Sequence, residues 1–141
     1  MSTERLYPLL KYAQLRLADV IGPALAPHGI DGRELAVLNA LADQDPASQQ
    51  EVARRLGIDR TTMVALVDEL EGKGLVERRP YPDDRRKNVV ELTAAGRDTS
   101  RRATQASEDA ERQFLAPLDE DDAKRLKEAL RALISAATAR R

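Results

Sequence analysis

The spacing of helix signals between residues 48 and 74 constrains this chain more tightly than anything else in it. Ser48 followed by Glu51 is a capping-box pattern, opening a short helix that runs to about Leu56. Asp59 is a second cap, opening another helix to about Glu71, and Gly72-Lys73-Gly74 stops it. Gly57 stands between the two, where a sharp reversal calls for positive φ. Ala53 falls where the helices must cross closely, and Val52, Leu56, Ile58, Met63 and Leu66 fall where they must pack together. An ordinary helical hairpin with a glycine turn satisfies part of this pattern. Agreement at all of these positions points instead to a helix-turn-helix.

The residues after Gly74 extend the motif. Leu75–Arg79 and Asn88–Leu92 read as two short strands around a polar loop, Pro80-Tyr81-Pro82-Asp83-Asp84-Arg85-Arg86-Lys87. A helix-turn-helix followed by such a hairpin is a winged module, which sets one helix and one loop against adjacent grooves of duplex DNA. Upstream, Leu6, Leu9, Leu10, Ala13, Leu17, Val20 and Ile21 recur at helical spacing, and Gly22-Pro23 is expected to interrupt that helix. Asp31 and Glu34 form a capping box for a second helix with Leu35, Leu38 and Leu41 on its buried side, stopping near Asp45-Pro46. Downstream, Thr93 caps a long helix to about Leu115. Pro117 breaks it, and Asp119 opens a last helix carrying Leu126, Leu130, Leu133, Ile134 and Ala137. The fold class is therefore mainly α (α+β), a winged helix-turn-helix with helices before and after it.

Charge narrows the function. The chain of 141 residues has a net charge of −1, which argues against coating nucleic acid by bulk electrostatics. Within residues 73–87, however, six cations (Lys73, Arg78, Arg79, Arg85, Arg86, Lys87) face three carboxylates (Glu77, Asp83, Asp84). On the second helix, Met63, Leu66, Val67 and Leu70 face the core, leaving Arg60, Thr61, Val64, Ala65 and Asp68 outward. Arg60, Thr61 and Thr62, near its N-terminus, are placed for base edges or phosphates, while Val64 and Ala65 offer apolar contact to thymine methyls. Asp68 and Glu69 would repel phosphate unless turned away or paired. The wing arginines suit the narrow, negative minor groove of A·T-rich DNA, against the alternative of a merely solvated hairpin loop.

The segment LVDELEGKGLVERRPYPDDRRKNVVELTAAG (Leu66–Gly96), with its DDRR wing followed by a strand and Leu-Thr, resembles the MarR (multiple antibiotic resistance regulator) family of bacterial transcription factors. The order of helices around it extends the resemblance over nearly the whole chain. It implies a homodimer whose first and last two helices interlock, giving an N-terminal dimerisation helix over 1–30, the winged module over 31–92 and C-terminal dimerisation helices over 93–141, in one compact domain overall. By the same resemblance Asp84 and Arg86 match the wing motif, with Arg86 as the minor-groove finger. Relatives in the family carry basic or hydroxyl residues where this chain has Val64, Ala65 and Glu69, which shifts the expected DNA dependence to Arg85, Arg86 and Lys87 of the wing and to Arg54 or Arg55. The resemblance also implies an aromatic or phenolic effector held between dimer helices and winged module, where Tyr12, Arg16 and His28 are the polar candidates. Arg16 as a surface ion-pair partner and His28 as a turn residue are the plainer alternatives.

The expected function is thus a sequence-specific transcriptional regulator, a repressor on a pseudo-palindromic operator, bound as a homodimer. The rival is a winged-helix protein–protein interaction module without DNA binding. Two features support dimerisation over packing within one chain: the apolar residues of the terminal helices, and Ala103, Ala106 and Ala110, which permit close helix approach. No enzyme is expected: one histidine, no cysteine and no glycine-rich phosphate loop leave little for catalysis, and no cofactor is implied. Asp119–Asp122 reads as capping and dipole compensation rather than a metal site. No apolar run approaches the roughly 20 residues of a membrane helix, so a cytoplasmic location is expected.

Overall fold

The computed structural model describes residues 5–43, 47–81 and 83–139, with the side chains at 47, 81, 84–87 and 137–139 outside that description. Six α-helices and three strands follow in the order α1 (Leu6–Leu25), α2 (Gly32–Ala42), β1 (Ala47–Ser48), α3 (Gln49–Leu56), α4 (Arg60–Gly72), β2 (Val76–Tyr81), β3 (Asp84–Leu92), α5 (Ala94–Leu115) and α6 (Glu120–Ala139). A 3-10 turn, Ala26–His28, joins α1 to α2. The chain divides into two compact units, one of Ile21–Glu108 and one of Met1–Val20 with Asp109–Arg141. Among the described residues no helix is long and apolar enough to cross a membrane.

The larger unit holds the core. Leu25, Val37, Leu38, Val52, Met63, Val67, Leu70, Val76 and Val90 are essentially sealed from solvent, and each such side chain is worth about 1.5–3 kcal/mol. Capping sets where the helices begin. The Asp31 carboxylate accepts from Glu34 N at 2.9 Å while Glu34 Oε1 accepts from Asp31 N at 3.1 Å, the full reciprocal box. At α5 the Thr93 hydroxyl accepts from Gly96 N at 3.0 Å, and at α6 Asp119 accepts from Asp122 N at 2.7 Å.

Two expectations are corrected, and one strand is added. Gly22-Pro23 does not interrupt α1, which continues to Leu25. Proline removes one backbone bond there, but continuation carries Leu25 into the core, and Ile21 packs against the same cluster. The wing strands also run further than expected, leaving only residues 82 and 83 between them. Pro80 is tolerated in β2 because the sheet order β1-β3-β2 makes β2 an edge strand. Its pairing steps from Pro80↔Asn88 to Tyr81↔Asp84, so residues 85–87 form a bulge on β3. Finally, Ala47–Ser48 is a third strand, pairing with Val90 and Val89 of β3. Two residues carry no period, so only the cap at Ser48 was visible. The expected helix stop at Asp45-Pro46 lies outside the described residues, and α2 ends at Ala42 with Asp43 as its C-cap.

The smaller unit contains most of α1, the end of α5, and α6. Lys127 Nζ lies 3.0 Å from Glu111 Oε2, tying α6 to α5. Ala110 is buried, yet Leu6 (61 %), Leu15 (52 %), Leu133 (59 %) and Ile134 (66 %) stand open, together with Tyr7, Leu9, Leu10, Tyr12, Leu118 and Leu126.

Candidate nucleic-acid interface

Local chemistry fixes the angle of the helix-turn-helix. Ser48 accepts from Glu51 N at 3.2 Å and starts α3. The Glu51 carboxylate accepts the Ser48 hydroxyl proton at 3.1 Å, where the expected box would have it take the Ser48 N–H. Gly57 adopts φ +66°, and Ile58 N then donates to Ala53 O at 2.9 Å, closing the turn. A side chain at that φ would be strained. Val52, Ala53, Met63 and Leu66 are buried, with Leu56 and Ile58 packed partly buried against the same cluster. Asp59 caps α4: its carboxylate accepts from Thr62 Oγ1 at 2.6 Å and from Thr62 N at 3.1 Å. Those two bonds, the hydroxyl's foremost, hold the Asp59 pKa below its ordinary value.

The exposed face of α4 carries Arg60, Thr61, Val64, Ala65, Asp68 and Glu69. Thr62 is half-buried and its hydroxyl proton is committed to Asp59, so at this N-terminus it acts first as a capping partner. Arg54 and Arg55 are exposed on α3, with Arg55 3.9 Å from Glu51 across one helical turn. Between α3, the start of α4 and β3 lies a cleft of about 480 Å³. Gln49, Gln50, Arg54, Arg60 and Asn88 line it with polar groups, and Ala53, Ile58 and Met63 supply apolar surface. Gln49, Gln50 and Asn88 were not singled out from the sequence. Their only signal is position, at the N-terminus of α3 and beside the wing.

The basic segment is less basic than its composition. Lys73 Nζ lies 2.7 Å from Glu34 Oε2 and donates to Gly29 O at 2.8 Å. Arg79 Nε lies 2.6 Å from Glu91 Oε1, relieving the Glu77–Glu91 pair that stand opposite each other on β2 and β3. Arg78 is the most engaged. Its guanidinium reaches Asp68 Oδ1 at 2.7 Å, Glu71 Oε1 at 2.9 Å, Gln49 Oε1 at 2.6 Å and Val64 O at 3.4 Å. Three of the six cations counted over 73–87 are therefore paired within the protein. Asp68, expected to repel phosphate unless paired, is paired. Asp84, Arg85, Arg86 and Lys87 belong to β3 by backbone, at and beside its bulge, and their side chains lie outside the described residues.

The effector candidates fall in both units. Tyr12 and Arg16 stand one turn apart on exposed α1 surface in the smaller unit. His28 ends the 3-10 turn in the larger unit, followed by Gly29 at φ +73°, as a turn residue would.

The sequence profile of the MarR family matches residues 28–87. The HTH-type transcriptional repressor NicR of Pseudomonas putida is 33 % identical over 94 residues, covering 67 % of this chain and 60 % of NicR. For NicR and two further curated regulators, the match spans only 51 to 60 % of their length. Among solved structures, the transcriptional repressor CouR bound to a 23-mer DNA duplex is similar at 34 % identity and a TM-score of 0.89, over 94 % of each chain. CouR from Rhodococcus jostii RHA1 bound to p-coumaroyl-CoA is 25 % identical with a TM-score of 0.81, over 93 % of this chain and 92 % of that one.

Proposed function

The chain belongs to the MarR family, and from that premise we propose that it is a sequence-specific DNA-binding transcriptional regulator, a repressor rather than an enzyme. The observation that carries this is the outward face of α4. Arg60, Thr61, Val64 and Ala65 stand exposed on it, with the cleft bearing Arg54 at its start. The bulged basic stretch 85–87 provides the second reading element, with Arg86 entering a minor groove. Likeness over 94 % of a repressor bound to DNA supports the reading.

It acts as a homodimer. The smaller unit exposes Leu6, Leu9, Leu10, Leu15, Leu133 and Ile134, a large apolar surface for so small a group of helices. Two copies covering these faces would set two α4 helices on half-sites about 34–36 Å apart on a pseudo-palindrome. The setting is the cytoplasm, where the chromosome lies. An aromatic or phenolic effector releases the DNA, a reading supported by the relative bound to p-coumaroyl-CoA. Tyr12, Arg16 and His28 are the residues proposed for it.

A mobility-shift titration with random and A·T-rich palindromic duplexes over a range of salt tests the DNA reading. Affinity should favour particular duplexes and fall linearly in log–log form with salt. Absence of binding, or binding indifferent to salt, would instead favour a winged-helix module for protein partners.

A further inference from the structure

We propose that Arg78 is a positioning residue for DNA recognition, one that screens the acidic side of α4 from the duplex. The inference rests on the DNA-binding reading above. Arg78 lies on β2 with its side chain only 18 % exposed, yet its partners Asp68 and Glu71 are 62 % and 44 % exposed. The cation is thus held inside while the carboxylates face outward. Asp68 shares its exposed face with Val64 and Ala65, one turn toward the proposed base-contacting end. A duplex carries one negative charge per roughly 1.7 Å of axis, so an unscreened carboxylate there opposes docking.

The geometry exceeds that of a surface ion pair. Nη2 reaches Asp68 Oδ1 at 2.7 Å and Nη1 reaches Glu71 Oε1 at 2.9 Å. The Arg78 backbone N–H donates to the other Glu71 oxygen at 3.3 Å. Nε donates to Gln49 Oε1 at 2.6 Å, so the α3 amide is oriented by the same fork. Single exposed pairs contribute little, but here one guanidinium joins α3, α4 and β2. Its planar array of five donors matches these diverging acceptors, and a lysine could not reproduce it. Arg78 therefore serves DNA binding without touching DNA.

The test uses a duplex enriched from a random library by the wild-type protein, with affinity measured across salt concentrations. Arg78→Met should bind it at least about tenfold more weakly, since it unmasks like charge at the interface, and the deficit should narrow as salt rises. Adding Asp68→Asn and Glu71→Gln to Arg78→Met should recover most of the loss. A purely structural tie would leave that triple variant as weak as the single one, which overturns the inference. Asp68→Asn/Glu71→Gln with Arg78 intact should bind both enriched and unrelated duplexes more tightly. Weaker binding by this double variant would show that the carboxylates do not oppose DNA, which overturns screening even where Arg78→Met does not fold. If the wild type enriches no duplex, the DNA reading fails and takes this inference with it. Enrichment without recovery in the triple variant removes the inference alone.

Discussion

Gly96 sits so close to Leu75 that a Cβ on its backbone would come within 1.9 Å of the Leu75 carbonyl oxygen. The same oxygen accepts from Thr93 N at 3.1 Å, and the Thr93 hydroxyl donates to Gly74 O at 2.7 Å. The start of α5 is thereby stitched to the turn that leads from α4 into the wing. Gly96→Ala must push one backbone off the other, because a carbonyl in a tight turn has no rotamer to change. We expect it to cost about 3 kcal/mol, the upper part of the range for overpacking. Urea unfolding would reveal this as a lowered midpoint, and an unshifted midpoint would show that the contact relaxes freely.

Lys73 should matter more than an exposed lysine does. Its partner Glu34 is 3 % exposed and also completes the α2 capping box. Lys73→Met would leave that carboxylate buried without its cation. Breaking a fully buried pair costs about 3–5 kcal/mol, and solvent reaching the lysine end should lower this to about 2 kcal/mol. Combining Glu34→Gln with Lys73→Met should be milder than Lys73→Met alone. If the double variant is the less stable, the pair contributes net attraction beyond desolvation.

Acid should weaken the start of α4 through Asp59. Hydrogen bonds from the Thr62 hydroxyl, and then from the Thr62 backbone, hold its folded pKa below 3.8. The unfolded chain therefore takes up this proton first as pH falls. The stabilisation is complete above the unfolded pKa and disappears as pH drops through the folded one. Asp59→Asn keeps a cap but has no proton to bind. The stability difference between wild type and Asp59→Asn should be constant above about pH 5 and shrink below it. Thr62→Val, which removes the foremost cause, should leave the onset of the shrinkage in place, because the unfolded pKa sets it, but make the loss smaller and complete at a higher pH. A difference that stays flat down to pH 2 would refute the assignment.

What could be read from sequence were local rules with local causes. Asp31, Ser48, Asp59, Thr93 and Asp119 each announce a helix through their own short side chain, and Gly57 announces the turn through positive φ. The buried faces of α2 and α4 follow from their 3.6-residue period. Features that depend on a distant partner were illegible. Pro23 stays helical because Leu25 beyond it finds a core. Ala47–Ser48 is a strand only because β3 lies alongside. Arg78 looked like part of a basic patch, yet it closes on Asp68, Glu71 and Gln49, and nothing in a linear charge count shows which cations face inward. One clue was present: Asp68 and Glu71 are spaced to share a helix side, and an arginine follows in the next strand.

That pairing changes where DNA-binding charge must come from. With Lys73, Arg78 and Arg79 engaged with Glu34, Asp68, Glu71 and Glu91, the cations proposed for phosphates are Arg54 and Arg60, which make no ion pair among the described residues, and the wing residues Arg85, Arg86 and Lys87, whose side chains lie outside that description. On α4 itself Arg60 is the sole cation, beside uncharged Thr61, Val64 and Ala65. Arg86→Ala should therefore weaken operator binding more than Arg60→Ala, Thr61→Ala or Val64→Ala. The expected loss is about tenfold or more, since a contacting arginine is worth about 1–3 kcal/mol, and the salt slope should fall by about one. Specificity for A·T-rich half-sites should drop with it, because a minor-groove arginine reads groove width. Near-wild-type affinity in Arg86→Ala would place the dominant contact on α3 or α4 instead, with Arg54 and Arg60 the next to replace.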